Sequence, residues 1–339
     1  MDPPPVQYVT TSDGFSIAYC VSGEGRPLFF VSGSFMDIQQ VWRYQPEWME
    51  GLAARFRLIQ LDPRGFGMSA RNLPESLTLQ DYVCDLETVV DRVQAQSFLI
   101  WGLGGQTFTA VRYAAQHAER VAALILVAPA VTGQAWGPVL YSMLPNEDWE
   151  SFLRTQIPAG LTREARLSRL QAYQRTLNRD DWNTYRRCMV ASTVEQDMKG
   201  LPMPALVMHA RDSLAIPAEA AMQAAALIPN SRFVSLNAEF TLEAAAQGVE
   251  AIDSFVKELL PVQRQGELSA SRDAAGAGLS QREIEVLRLI AGGRSNQQIA
   301  DELVISVNTV NRHISHIFDK IGVANRTEAA VYARDHGIG

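Results

Sequence analysis

The chain has 339 residues, 47% of them hydrophobic, and a formal net charge of −7. Domains typically run roughly 100–200 residues, so this length suits one large and one small domain. The acidic balance argues against a protein that coats nucleic acid or anionic membrane indiscriminately. The three scattered cysteines, Cys20, Cys84 and Cys188, form neither a disulfide framework nor a zinc-type cluster, and no metal or cofactor is expected. The start, Met1-Asp2-Pro3-Pro4-Pro5, lacks the basic and apolar runs of a signal peptide. The apolar run Val121–Val131 is too short to span a bilayer and reads as a buried strand, and the scattered cysteines suggest reduced thiols in a cytoplasm, away from membranes.

In chain order, Leu28 to Ser32, Phe56 to Leu61, Phe98 to Trp101 and Ala122 to Val127 read as short strands, with helices at Tyr82 to Val93 and Phe108 to Gln116. Such alternation calls for a parallel sheet covered on both faces, an α/β architecture with its functional loops at the carboxyl ends of the strands. From about 132 to 200 the strand signal gives way to helical segments bearing Trp136, Tyr141, Trp149, Phe152, Tyr173, Trp182 and Tyr185, which read as a helical cap. Alternation resumes with a strand at Ala205 to His209, a helix at Ala218 to Leu227, a strand at Arg232 to Leu236 and a helix at Gly248 to Leu260. The expected division is a domain over 1–260, a flexible linker over 261–278 rich in Gln, Gly, Ser and Ala, and a helical domain over 279–339.

The segment Gly102-Leu103-Gly104-Gly105-Gln106, between a strand and a helix, has the setting of a G-x-S-x-G nucleophile elbow with glycine where the serine would stand. Together with Phe-Val-Ser-Gly-Ser-Phe at 30–35, Leu-Asp-Pro-Arg-Gly-Phe-Gly-Met-Ser at 61–69 and His-Ala-Glu-Arg-Val at 117–121, it resembles an α/β-hydrolase domain with a cap. The resemblance implies a nucleophile, an acid and a histidine in that chain order. Here those positions hold Gly104, Ser213 with Asp212 one residue away, and Phe240 or Glu239. Ser32 stands where a histidine commonly precedes the oxyanion-hole glycine. His117 and His209 read as a helix-end and a buried-strand residue out of reach of the elbow.

The expectation is therefore a non-enzyme that keeps the container. A pocket bounded by Ser32, Gly33, Ser34, Phe35, Gly104, Gly105, Trp136, Tyr141 and Phe240 would take a small, largely apolar molecule with one polar end. Any one cap aromatic also reads as a simple contact between cap helices. Two alternatives stay open: displaced hydrolytic chemistry using Ser32, Ser34 or Asp212, and a ligand-free domain that only dimerises the chain.

The last segment reads as four short helices, with Ser280 and Glu283 placed for a capping box and Asn296 placed to cap the second helix. From Ser306 a longer helix carries Val307, Val310, Ile314, Ile317, Phe318 and Ile321 on one face, and Asn308, Arg312, Ser315, His316 and Asp319 opposite, with Asn311 flanking. A short helix, a turn and a helix with an apolar back and a polar front suit the DNA major groove. Leu-Ser-Gln-Arg-Glu-Ile-Glu-Val-Leu, Ser-Asn-Gln-Gln-Ile-Ala, Thr-Val-Asn-Arg-His and Asn-Arg-Thr-Glu-Ala resemble the LuxR/GerE-type helix-turn-helix.

That resemblance implies double-stranded operator DNA as partner. Asn311, Arg312 and Ser315 would read bases, supported by Asn308, Thr309 and His316, while Arg294, Asn296 and Gln297 would touch phosphates. Gln297 and Asn311 stand where the family often has lysine, and seven basic residues only balance seven acidic ones. A shallow salt dependence and reliance on a homodimer, formed through the last helix near Thr327 to Arg334, are expected.

Overall fold

The computed structural model describes residues 3–33, 35–136, 148–157, 161–211, 213, 216–237, 242–259, 279, 281–303, 307–321, 323, 325–335 and 338. The linker expected at 261–278 lies outside them. The chain divides into two compact units, Met1–Phe255 and Val256–Gly339.

Eight strands form the sheet of the first unit: β1 (Gln7–Thr10), β2 (Ser16–Ser22), β3 (Pro27–Val31), β4 (Arg57–Asp62), β5 (Phe98–Leu103), β6 (Val121–Val127), β7 (Ala205–Ala210) and β8 (Ser231–Leu236), in the order β1-β2-β4-β3-β5-β6-β7-β8. From β4 to β8 every pairing is parallel, as the alternation predicts. The sheet is nonetheless mixed, because β1 and β2 pair antiparallel and β2 runs antiparallel to β4. These two strands were not legible as sheet members. β1 is largely exposed, and an edge hairpin needs no crossover helix to announce it.

Helices α1 (Ile38–Tyr44), α2 (Pro46–Ala53), α3 (Leu79–Arg92) and α4 (Gln106–Gln116) connect the strands. In α3 the buried residues Leu79, Tyr82, Val83, Leu86, Val89 and Val90 recur at helical spacing, and Asp81 accepts the Thr78 N–H at 2.7 Å to start the helix. β6 is buried along nearly its whole length because both faces of the sheet are covered.

Between β6 and β7 lie a 3-10 turn (Gly133–Trp136) and helices α5 (Trp149–Thr155), α6 (Arg163–Thr176), α7 (Arg179–Ala191) and α8 (Glu195–Gly200), the segment read as a cap. Its ends are tied at the base by the Thr132–Thr193 bridge and the Val194 N–H to Val131 carbonyl bond of 3.1 Å. Asp181 accepts the Leu73 N–H at 2.7 Å and so fixes α7 to the loop after β4. Helices α9 (Ala218–Leu227) and α10 (Leu242–Leu259) complete this part, α10 starting six residues before the expected Gly248.

The second unit contains α11 (Gln281–Ala291), α12 (Asn296–Leu303), α13 (Val307–Ile321) and α14 (Arg326–Asp335). Val286, Leu287, Ile290, Ile299, Val310, Ile317, Ala329 and Ala333 close its core. Among the described residues no helix is long and apolar enough to cross a membrane, and no cluster of His, Cys, Asp and Glu could hold a metal ion. All three cysteines are free thiols.

Candidate functional sites

β5 hands over to α4 through Gly104, whose φ of +59° lies in the left-handed region. Its N–H donates to the Val127 carbonyl at 2.9 Å, and its own carbonyl accepts the Thr107 hydroxyl at 2.7 Å. The helix then lies close on the strand, since a β-carbon at Gly102 would be 3.0 Å from Ala110 Cβ. The sharp turn that lifts a nucleophile in this setting is thus built, with hydrogen at its tip. At the start of α4 the Thr107 and Phe108 N–H groups donate to the Gly104 and Gly105 carbonyls at 3.0 and 3.2 Å, closing the turn on itself.

Next to this turn, aromatic side chains pack on one another. Phe35 has ring centroids 5.2 Å from Trp182, 5.4 Å from Tyr173 and 5.8 Å from Phe152. Trp182 continues to Tyr185 at 5.5 Å, and Tyr185 meets Phe66 edge-on at 4.8 Å. A β-carbon on Gly105 would lie 2.0 Å from the Tyr185 hydroxyl, so the glycine is what admits the tyrosine. Burial raises the Tyr185 phenol above its ordinary range, and it stays neutral.

Below the turn, two residues act as supports. Ser32 was expected to line the pocket, but it is buried, and its hydroxyl donates to the Leu61 carbonyl and Asp62 Oδ1, each at 3.1 Å. It belongs to the floor. Asp62 also accepts the Ile38 and Met68 N–H groups at 3.2 and 3.0 Å, and burial pushes its carboxyl up to about 7. Gln106, fully buried, lies against Gly33, which sits at φ +41°; a β-carbon there would be 2.3 Å from Gln106 Cγ. Its Oε1 accepts the Thr109 hydroxyl at 2.7 Å, and its Nε2 has no partner among the described residues.

Of the other expected pocket residues, Phe35 joins the aromatic wall, while Trp136 ends the 3-10 turn and is described by its backbone only. Ser34, Tyr141 and Phe240, with Asp212 and Glu239, lie outside the described residues. Ser213 falls in the turn after β7, where its N–H donates to the Ala210 carbonyl at 3.2 Å. His209 Nε2 is engaged with the Ile216 carbonyl at 2.8 Å. His117 caps the far end of α4, about 16 Å of helix from the elbow, and stacks on Tyr113.

In the second unit Ser295, not Asn296, caps α12: its hydroxyl accepts the Gln298 N–H at 3.3 Å while Gln298 Oε1 accepts the Ser295 N–H at 2.8 Å. Asn296 is the first residue of the helix, and both ends of its amide are occupied inside the domain. Its Nδ2 donates to Asn311 Oδ1 at 2.8 Å, and its Oδ1 accepts from Arg326 Nη1 at 2.9 Å. A second Arg326 nitrogen donates to the Arg294 carbonyl. Gln297 Nε2 bonds Asp301 at 2.9 Å, and Arg294 pairs with Glu302 at 3.6 Å.

Asn296, read from sequence as a phosphate contact, also ties the turn to α13 and α14. Asn311 gives one acceptor position of its amide oxygen to Asn296. On α13, Thr309, Asn311, Ser315 and His316 are exposed, and Asn308 and Arg312 lie on the same helix. Lys320 donates to Glu283 at 2.7 Å, with His316 4.0 Å from the same carboxylate.

Residues 26–202 match the family described as alpha/beta hydrolase fold. The chain belongs to that family. Residues 277–333 match the family described as bacterial regulatory proteins, luxR family. Solved structures with the hydrolase fold include a hydrolase from Pseudomonas aeruginosa PA01, 19% identical with a TM-score of 0.63, covering 76% of this chain and 98% of that one. The enol-lactonase from Burkholderia xenovorans LB400 is 20% identical with a TM-score of 0.59, covering 75% and 99%.

The transcriptional regulatory protein LiaR of Bacillus subtilis (strain 168) is 40% identical over 98 residues, 28% of this chain and 44% of that protein. The response regulator protein VraR of Staphylococcus aureus (strain NCTC 8325 / PS 47) is 47% identical over 60 residues, 18% and 29% respectively. The chain thus spans less than half the length of these regulators. Its C-terminal segment resembles the luxR-type module of these regulators, and the larger part of the chain has the α/β-hydrolase fold. Sequence reasoning gave no site role to Gln106, Tyr185 or Arg326, although Tyr185 stands among the cap aromatics, Arg326 in the Asn-Arg-Thr-Glu-Ala motif, and Gln106 is the bulky residue at the last position of the elbow.

Proposed function

We propose that this chain is a cytoplasmic one-component transcription regulator. Its hydrolase-fold domain is catalytically inert and holds a small-molecule effector in the space above Gly104, and its helix-turn-helix binds operator DNA as a homodimer. The observation that carries the reading is the elbow turn with glycine at its tip, next to an aromatic cluster and at a helix N-terminus. Acyl transfer needs an activated nucleophile, and this turn offers no side chain. The effector regulates by binding one arrangement of the dimer better than another; a preference of about 1–3 kcal/mol changes operator affinity roughly 5- to 150-fold.

The test is thermal-shift and native-mass screening of small acyl and aromatic compounds against the full chain, with and without an operator enriched by selection. A compound that stabilises the protein and changes operator affinity supports the sensor. Gly104→Trp, checked for native circular dichroism, is expected to abolish the response. An intact response in that variant puts the input elsewhere. The second reading, a filled domain that only dimerises the chain, is favoured by the Tyr185 hydroxyl lying against Gly105. Operator binding without any ligand response supports it.

A further inference from the structure

Two arginines of the hydrolase-fold domain are buried, and they are treated very differently. Arg64 is surrounded by carboxylates: Asp13 at 2.6 Å, Asp85 at 2.7 Å and Asp81 at 3.7 Å. Arg169 on α6 is 9% exposed, and no carboxylate among the described residues lies within ion-pair reach of it. Its recorded neighbours are neutral. Nη1 is 3.1 Å from the Met36 thioether, and the guanidinium stands 4.1 Å over the Tyr44 ring. Nε has no partner among the described residues. A buried cation is expensive unless an anion meets it, and stacking on a ring offsets only part of that cost.

The place of this charge matters. Met36 follows Phe35 in the loop after β3, and Tyr173 packs on Phe35 in the aromatic wall. Two more buried donors without partners among the described residues, Trp182 Nε1 and Gln106 Nε2, belong to the same wall and floor. All three unmet groups are donors, which fits a ligand rich in acceptor oxygens and not an amine.

We propose that Arg169 is the anion anchor of the effector site, and that the effector is a carboxylic acid whose apolar body lies along Phe35, Phe152, Tyr173 and Trp182. The proposal rests on the reading of this space as the sensor. The planar guanidinium fork suits a carboxylate, and the aromatic wall suits an aryl or alkyl chain.

Two measurements on the full chain test it. Without ligand, Arg169→Met is expected to leave the unfolding midpoint unchanged or raise it, because a charge awaiting a counter-ion is removed. A fall of several degrees that Arg169→Lys restores marks a structural cation and overturns the proposal. With ligand, 3-phenylpropionate and octanoate are expected to bind wild type at least about tenfold more tightly than their amides and methyl esters, a preference lost in Arg169→Met. Equal binding of acids and amides to wild type overturns the carboxylate and leaves the pocket standing. An acid preference that survives in Arg169→Met overturns the anchor. No binding by any of these probes, to wild type or to Arg169→Met, overturns the pocket itself.

Discussion

The Tyr185 hydroxyl and Gly105 compete for one volume: a β-carbon on the glycine would stand 2.0 Å from the oxygen. Tyr185 is held between Phe66, Tyr82 and Trp182, so its ring cannot swing aside. Gly105→Ala is therefore expected to destabilise the domain by about 1–3 kcal/mol through overpacking. Adding Tyr185→Phe, which removes the oxygen, should recover part of the loss in a urea titration. A fully additive double variant would mean that the two residues do not press on each other.

Gly104→Ser restores the missing hydroxyl. A serine at φ +59° carries left-handed strain of about 1–2 kcal/mol, so the unfolding midpoint should fall. Hydrolysis of p-nitrophenyl acetate and butyrate should stay at the buffer rate, because His209 is bonded to a backbone carbonyl and His117 caps the far end of α4. Turnover above that rate would show that a base remains.

Asp62 supplies a pH dependence with a definite sign. Burial raises its carboxyl to about 7 in the folded domain, against about 3.9 in an unfolded chain. The folded state therefore holds the proton more tightly. The resulting stabilisation is complete below the unfolded value and is lost as pH rises through 7. An asparagine can still accept the Ile38 and Met68 N–H groups and turn its amide toward Ser32 Oγ. Between pH 5 and 8, wild type should lose on the order of 2–3 kcal/mol relative to Asp62→Asn. Parallel midpoint-against-pH curves would contradict this.

Asn296 and Arg312 separate positioning from reading. Asn296 is bonded to Asn311 and Arg326. Asn296→Ala should weaken operator binding severalfold without changing the slope of affinity against salt, which counts neutralised phosphates. Arg312→Ala should cost about 1–3 kcal/mol and relax discrimination at one base pair if its guanidinium reads a guanine. Fluorescence anisotropy on wild-type and single-mismatch operators at several salt concentrations measures both. A changed slope for Asn296→Ala would keep that residue among the phosphate contacts.

The amino-acid sequence by itself determined the two folds, the elbow without a nucleophile and the helix-turn-helix with its apolar back, because each is written in local spacing. Period-two and helical repeats report burial on a face, and Gly-x-Gly-Gly between a strand and a helix reports a turn. Side-chain partners across the fold have no such signature. Only the tertiary structure decided that Ser32 turns down to Asp62, that Asn296 serves Asn311 and Arg326, and that Tyr185 reaches Gly105. Each pair is separated by tens of residues or by whole elements, except Asn296 and Asn311, which one turn brings together. The two buried arginines make the same point: Arg64 and Arg169 are alike in sequence, and only packing gives one three carboxylates and leaves the other none among the described residues.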